Sequence, residues 1–498
     1  MAVVGSVVAA GLTSGVAQAE PEWSPAPTPR VDMKPCNDVI LDFDAKFDAL
    51  GGASATRELE CATIDVPMDY AEPDGRKIAL TFSRLRAADP EKRRGVLMTH
   101  QGGPGQGSIT YPLELADRPI RDAVREYDIV SFDYRGTGAS TPLNCPPTSV
   151  PHPSATGTQK VDFDAGFDWT SQANKALVEC EPEYVRQITT PNIARDVDRV
   201  REALGEEQMA YYGVSYGTVV GMTYRAMFDD KVSRMWLDSI LDPEFRDGSD
   251  YVSQDELSRS SNRKLFAYLA QNQRFYNLGD TEESTRASVE KIVDDAESRY
   301  KSGDTVLMRN DILSLLLDPP AMAARSLLTL RDGQLPSKLI PVGGESNPLF
   351  FDDKIDSELA GSNESYTPVF CALSEGGRDA DDVWNRYMEW RAETPADNLV
   401  IERAPSSICA GWPFSTDRPD WSTAGKSSPL QIGAHRYEST TPYAGAEKAR
   451  NILNGSLFTT NDSRHSASIF TECGAKRISE FLQGSAPYDS ECLAREES

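Results

Sequence analysis

The sequence predicts an α/β protein: a doubly wound, mostly parallel sheet interrupted by one large helical insertion. Three observations carry that expectation. Short apolar runs ending in turn residues alternate with segments of helical period in both the first and the last parts of the chain. Between them, residues 246–425 show long polar, acidic, helical stretches with no clear strand alternation. Finally, one strand–turn–helix unit over 208–228 holds a serine between two glycines.

The elements follow in order. Residues 2–19 are apolar and small and end in Ala17-Gln18-Ala19, which fits the apolar stretch and A-x-A cleavage site of a secretory signal, although a positively charged start is missing. A Pro-rich lead spans 20–35. Residues 36–245 form the first part of the core, with strands expected at GVLMTH (95–100), YDIVSFD (127–133), QMAYYGVS (208–215) and VSRMWLDS (232–239). Such near-continuous apolar runs suit parallel strands buried on both faces. ARDVDRVREALG (194–205) places Val197, Val200 and Leu204 on one helical face, with Gly205 as its C-terminal stop. A helix is also expected from Tyr216 to Phe228. After the insertion, 426–498 restores the rhythm with strands at 428–434 and 456–462 and helices at 441–455 and 472–484.

Composition narrows the function classes. Hydrophobic residues make up 39% of 498, enough for a sizeable core, and 51 Lys and Arg against 77 Asp and Glu give a formal charge of −26. A nucleic-acid surface needs clustered cations, so that partner class is excluded. The balance favours a soluble monomer open to cationic ligands. No segment beyond the leader approaches the ~20 apolar residues needed to span a bilayer. The eight cysteines include no C-x-x-C pair, so neither a metal nor another cofactor is expected. They allow 105 disulfide connectivities; sequential pairing is the expectation, since it closes short loops of 25, 35, 38 and 19 residues. Together these features predict an extracellular protein.

Gly213-Val214-Ser215-Tyr216-Gly217 is the chain's one G-x-S-x-G match. A sharp strand-to-helix turn there pushes the Ser215 hydroxyl out at the carboxyl end of the sheet. His100-Gln101-Gly102-Gly103-Pro104-Gly105 follows an earlier strand, where a second donor to a developing oxyanion would lie, so the backbone N–H groups of Gly103 and Tyr216 are the candidate donors. Asp133-Tyr134-Arg135-Gly136-Thr137-Gly138-Ala139-Ser140 reads as a structural turn with Arg135 paired internally.

A serine nucleophile needs a base, and there are four histidines. His100 belongs to the glycine-rich loop, His152 lies in a Pro/Ser/Thr-rich stretch, and His435 and His465 follow the last two strands. The chain order Ser, acid, His selects His465. The acid should follow the penultimate strand, where Glu438, 27 residues before His465, is the carboxylate available. Asp238 and Asp242, after the strand at 232–239, and Asp462 are the rivals.

With CATIDVPMDY (61–70), HQGGPGQGS (100–108), DYRGTGAS (133–140), YYGVSYGT (211–218), CAGWP (409–413) and STTPYAGA (439–446) added, the chain resembles secreted actinobacterial tripeptidyl aminopeptidases of the prolyl-aminopeptidase-like α/β-hydrolase family. The resemblance spans nearly all of the chain after the leader. It implies an α/β-hydrolase fold capped by the helical insertion. It also implies Ser215 as nucleophile, His465 as base, and an exopeptidase that frees tripeptides from unblocked N-termini. Two positions depart from the family. Its acid motif D-x-x-T-P falls on Glu438-Ser439-Thr440-Thr441-Pro442, and its Leu-Asp-Gly is here Leu237-Asp238-Ser239. Such an enzyme needs an anion in or near the insertion to meet the substrate ammonium; Glu375 and Glu244 are the candidates. An esterase or amidase acting on a small molecule, and an inactive hydrolase-like binding protein, are the alternatives.

Overall fold

A computed structural model describes residues 30–40, 59–146, 153, 159–244, 251–301, 307–339, 365–394, 396–401, 405, 407–422, 427–438, 440–462 and 464–492. The expected signal (1–19), most of the lead and His152 lie outside the described residues.

Ten strands form one sheet: β1 (Lys34–Pro35), β2 (Leu59–Pro67), β3 (Lys77–Leu85), β4 (Val96–His100), β5 (Asp128–Phe132), β6 (Met209–Val214), β7 (Val232–Asp238), β8 (Leu430–His435), β9 (Ser456–Thr460) and β10 (Ser490–Cys492). Their spatial order is β1-β2-β3-β5-β4-β6-β7-β8-β9-β10. From β5 through β10 every pairing is parallel, while β1, β2 and β3 pair antiparallel at one edge. Every residue of β4, β5, β6 and β8 is buried. That is why these strands read as largely apolar runs. The β2–β3 hairpin, with nine register pairs, was not among the strands expected individually. Its sequence mixes charged and apolar side chains, because much of one face of β2 is exposed.

Helices cover both faces of the sheet. On one, Val197 and Val200 of helix Thr190–Ala203 and Val219 and Val220 of helix Tyr216–Phe228 join Leu237, Ile432 and Ala446 in the main core. On the other, Trp236 packs between Phe458 and Phe481, with Ile478 and Leu115 in the same cluster. The helix expected from Ala194 starts four residues earlier, at Thr190, because the Thr189 hydroxyl accepts from the Asn192 N–H and Pro191 fits the first turn. Gly205 follows its end at φ +75°, as a helix stop requires.

Among the described residues, 246–425 contributes helices and no strand to the sheet. Its first half builds a core of its own, with Leu265, Val289, Val293, Ile312 and Leu327. In its second half, Val369, Leu373 and Trp412 join the main core, whereas Leu399 and Ile401 belong to the first half's core.

Four disulfides pair sequentially: Cys36–Cys61, Cys145–Cys180, Cys371–Cys409 and Cys473–Cys492. Cys371 and Cys409 are fully buried where the insertion meets the main core, and their bond closes a 38-residue separation. Replacing both with alanine is expected to lower stability by about 4 kcal/mol through loop entropy restored to the unfolded chain. Urea denaturation against the wild type measures it, and an unchanged free energy would contradict that account.

Candidate active site

Strand β6 ends at Val214, and the next residue turns the chain. Ser215 adopts φ 56°, ψ −128°, a conformation rare outside glycine, and the helix Tyr216–Phe228 starts immediately after it. The turn is tight because β4 lies alongside: a Cβ on Gly217 would come within 2.3 Å of the His100 carbonyl oxygen. The backbone N–H of Ser215 donates to the Asp238 carbonyl at the end of β7 (3.2 Å), and Thr218 Oγ1 donates to the Ser215 carbonyl (2.6 Å).

The loop after β4 folds over the serine. A Cβ on Gly102 would meet Ser215 Cβ at 2.7 Å, so this glycine is the loop's point of contact. The Gly102 N–H donates to His100 Nδ1 (3.1 Å), which leaves the next amide, Gly103, as the loop's candidate oxyanion donor. The turn 133–140 holds the loop. Asp133 Oδ1 accepts from the N–H groups of Ser108 (2.6 Å) and Ile109 (3.1 Å), and Tyr134 Oη accepts from that of Gly105. Burial raises the Asp133 pKa, and these amides together with that of Ala139 lower it only in part. Arg135 makes a bidentate, fully buried pair with Asp196 (2.7 and 2.8 Å), the internal pairing read from the sequence.

Glu438 lies three residues beyond β8, and His465 five residues beyond β9. His465 Nδ1 and Glu438 Oε1 are hydrogen-bonded, with Glu438 buried and the His465 side chain one-third exposed. The carboxylate is fixed from two further sides: Thr441 Oγ1 donates to Oε1 (2.7 Å) and Ser239 Oγ donates to Oε2 (2.9 Å).

A strained serine turn with a glycine-rich loop against it, and a buried carboxylate bonded to a histidine, thus lie at the carboxyl ends of β4, β6, β7, β8 and β9. Residues 95–291 match the family model described as alpha/beta hydrolase fold, and residues 397–492 match the one described as TAP-like protein. The tripeptidyl aminopeptidase of Streptomyces lividans is 28% identical over 450 residues, covering 86% of this chain and 82% of its own. The chain is an α/β hydrolase that resembles the tripeptidyl aminopeptidases. Serine protease Hip1 of Mycobacterium tuberculosis is 24% identical over 428 residues, 81% of each chain. Carboxylesterase B of the same organism is 26% identical over 527 residues, covering 96% of this chain and 92% of its own. This protein is a serine hydrolase.

The other candidate residues of the hydrolase fall elsewhere. Asp242 and Glu244 both pair with Lys448 (2.8 and 3.3 Å), and it is Glu438 rather than the rival acid Asp242 that bonds His465. Glu375 is exposed beyond helix Tyr366–Leu373. The rival acids Asp238 and Asp462 serve a different histidine, an arrangement the sequence did not reveal. His435, fully buried at the last position of β8, contacts Asp462 Oδ1 through Nδ1 (2.6 Å) and Asp238 Oδ1 through Nε2 (3.3 Å). Two carboxylates that only accept require both ring nitrogens to donate, so the ring is an imidazolium. Among the described residues, no group of three or more His, Cys, Asp or Glu side chains is arranged so that it could hold a metal ion.

The two buried histidines give the hydrolase opposite pH dependences. Burial without a counter-charge holds His100 down at about 3 against an ordinary 6.5. The folded form keeps it neutral where the unfolded chain takes up a proton, so it costs stability as pH falls from about 6.5 towards 3. For His435, burial alone would lower the pKa, but hydrogen bonds to Asp238 and Asp462 and their charges push it up to about 10. Its folded value lies above the unfolded one, so its contribution is complete below about 6.5 and is lost as pH rises through about 10. Each limb has a slope of about 1.4 kcal/mol per pH unit. Denaturation midpoints at pH 5, 7 and 9 test this: His435→Gln is expected to flatten the alkaline limb and leave the acid limb unchanged. An alkaline limb of wild-type slope in that variant would contradict it.

Proposed function

We propose that this serine hydrolase is an extracellular exopeptidase that releases short peptides, tripeptides in particular, from free N-termini. Ser215 attacks the peptide carbonyl. His465 takes the hydroxyl proton and passes it to the leaving amine, while Glu438 orients the ring and stabilises the imidazolium. The N–H groups of Gly103 and Tyr216 receive the oxyanion, and water then attacks the acyl-enzyme, releasing the short peptide as its acid and restoring the Ser215 hydroxyl. Residues 246–425 act as a cap on a core of 36–245 and 426–498, and an anion in or near the cap, with Glu375 and Glu244 the candidates, meets the substrate ammonium.

The observation that carries this reading is the His465–Glu438 hydrogen bond, in a chain aligned over 86% of its length with a tripeptidyl aminopeptidase. Four disulfides and the signal-like leader support export; among the described residues no helix is long and apolar enough to cross a membrane. One observation favours a second reading, an esterase acting on a small molecule: the relative named carboxylesterase B aligns over 96% of the chain.

Hydrolysis of Ala-Pro-Ala-p-nitroanilide, its N-acetylated twin and p-nitrophenyl acetate separates the two. Turnover of the free-amine anilide with loss on acetylation is the expected result. Ester turnover with both anilides inert would overturn the exopeptidase reading in favour of the esterase.

A further inference from the structure

The end of β7 is bonded to Ser215, to Glu438 and to the neighbour of His465. The Asp238 carbonyl accepts the N–H of Ser215 (3.2 Å). At the next residue, Ser239 Oγ donates to Glu438 Oε2 (2.9 Å) and accepts the backbone N–H of Ser466 (2.9 Å), the neighbour of His465. One hydroxyl therefore joins the acid to the loop that carries the base, and it is 1% exposed.

Its backbone is costly to hold. Ser239 lies at φ 49°, in the left-handed region where a Cβ is disfavoured and glycine is the usual occupant. Such a conformation persists when its surroundings over-determine it. Here they do, because the preceding side chain is tied down from several directions. Asp238 accepts from Ser468 Oγ (2.7 Å), the Ser468 N–H (3.3 Å) and Tyr212 Oη (3.4 Å), and it faces His435 Nε2 (3.3 Å). Glycine would relieve the backbone but lose the hydroxyl. A side chain kept at a backbone-disfavoured position, with its one polar atom satisfied on both sides by the acid and the base loop, has its use in that bridge.

We propose that Ser239 is a positioning residue of the active site: its hydroxyl sets the distance and orientation of Glu438 relative to His465. The inference rests on the triad reading above. Without the bridge, the Glu438 carboxylate keeps Thr441 and His465 but loses the restraint on Oε2, and the Ser466 amide loses its acceptor. The base loop can then drift. A displacement of about 1 Å at a reacting group costs on the order of 100-fold in rate, so the effect belongs in kcat and not in substrate affinity.

The test uses the full oxidised chain as wild type, Ser239→Ala, Ser239→Gly, Glu438→Gln, the double variant S239A/E438Q, and Ser215→Ala, each assayed on whichever of the three substrates the wild type turns over. Ser239→Ala and Ser239→Gly are both expected to lower kcat by about 10- to 100-fold with KM within about twofold. Ser239→Gly is expected to melt no lower than wild type, because the backbone strain is relieved. In the E438Q background, S239A should add less than about twofold, since the hydroxyl acts through that carboxylate. A purely structural role predicts the reverse: Ser239→Gly, the variant best suited to the backbone, would keep wild-type kcat, and that result overturns the proposal. Should Ser239→Ala fail to fold, the glycine variant decides alone. An active Ser215→Ala would instead overturn the triad reading itself, so the two failures are distinguishable.

Discussion

Ser215→Ala is expected to lower kcat/KM by a factor on the order of 10^4 to 10^6 while leaving the fold intact. The size follows from what the side chain does. In the proposed mechanism the hydroxyl forms the covalent intermediate, and nothing in the site replaces it: the nearby Thr218 hydroxyl is directed at the Ser215 carbonyl. The proposed oxyanion donors and cap are untouched by the change, which leaves a residual rate above that in water. Stability should not fall. Alanine at φ 56° bears the same backbone strain as serine, and the hydroxyl lost is at the surface of the site, in a residue 9% exposed. The checks are kcat/KM on the p-nitroanilide or ester substrates, covalent labelling by a fluorophosphonate, and a thermal melt. Loss of labelling and turnover at an unchanged melting temperature is the expected pattern. Retained labelling would place the nucleophile elsewhere.

Much of the fold was legible because its central strands are buried on both faces. β4, β5, β6 and β8 read as apolar runs for that reason, and the helices between them carry one apolar face. The edge was harder. β1 is two residues long, and β2 exposes part of one face, so neither has the composition of a core strand. At the site, Ser215, Glu438 and His465 stand out because each follows a strand and the motif fixes the chain order. His435 illustrates what a sequence withholds. Like His465, it follows one of the last two expected strands, in a polar context. What separates them is position: His435 is still inside β8, its ring enclosed by Asp238 and Asp462, whereas His465 lies beyond β9 in a loop. Those contacts span 197 and 27 residues, and the Ser239–Glu438 bond spans 199. No local pattern encodes them. The two departures from the family motif, Glu438 and Ser239, looked independent along the chain; in space they are hydrogen-bonded to each other.

Glu438→Gln should reduce kcat by about 10^4, nearly as much as loss of the serine, although the substitution is almost isosteric. The carboxylate sits among donors. Oε1 meets His465 Nδ1 and the Thr441 hydroxyl, and Oε2 meets the Ser239 hydroxyl, whose oxygen is already engaged by the Ser466 N–H. A carboxylate accepts on both oxygens, whereas an amide offers one acceptor and one donor group. If the amide oxygen faces His465, its NH2 confronts Ser239 Oγ, and the hydroxyl must turn its own proton away. If the NH2 faces His465 instead, Nδ1 must become an acceptor and the ring proton moves to Nε2. An imidazole protonated there cannot take the Ser215 proton, and this is the arrangement that removes catalysis. Either way the developing imidazolium loses its counter-charge. Glu438→Asp retains the charge but is shorter by one methylene. It therefore cannot span His465 and Ser239 together without movement of the loop, and an intermediate loss is expected. Asp242→Asn supplies the control, because Asp242 pairs with Lys448 at the surface and its neutralisation should leave kcat within about twofold. Steady-state kinetics of the three variants decide the assignment. A Glu438→Gln enzyme keeping more than a tenth of the wild-type kcat would mean that another carboxylate supports His465.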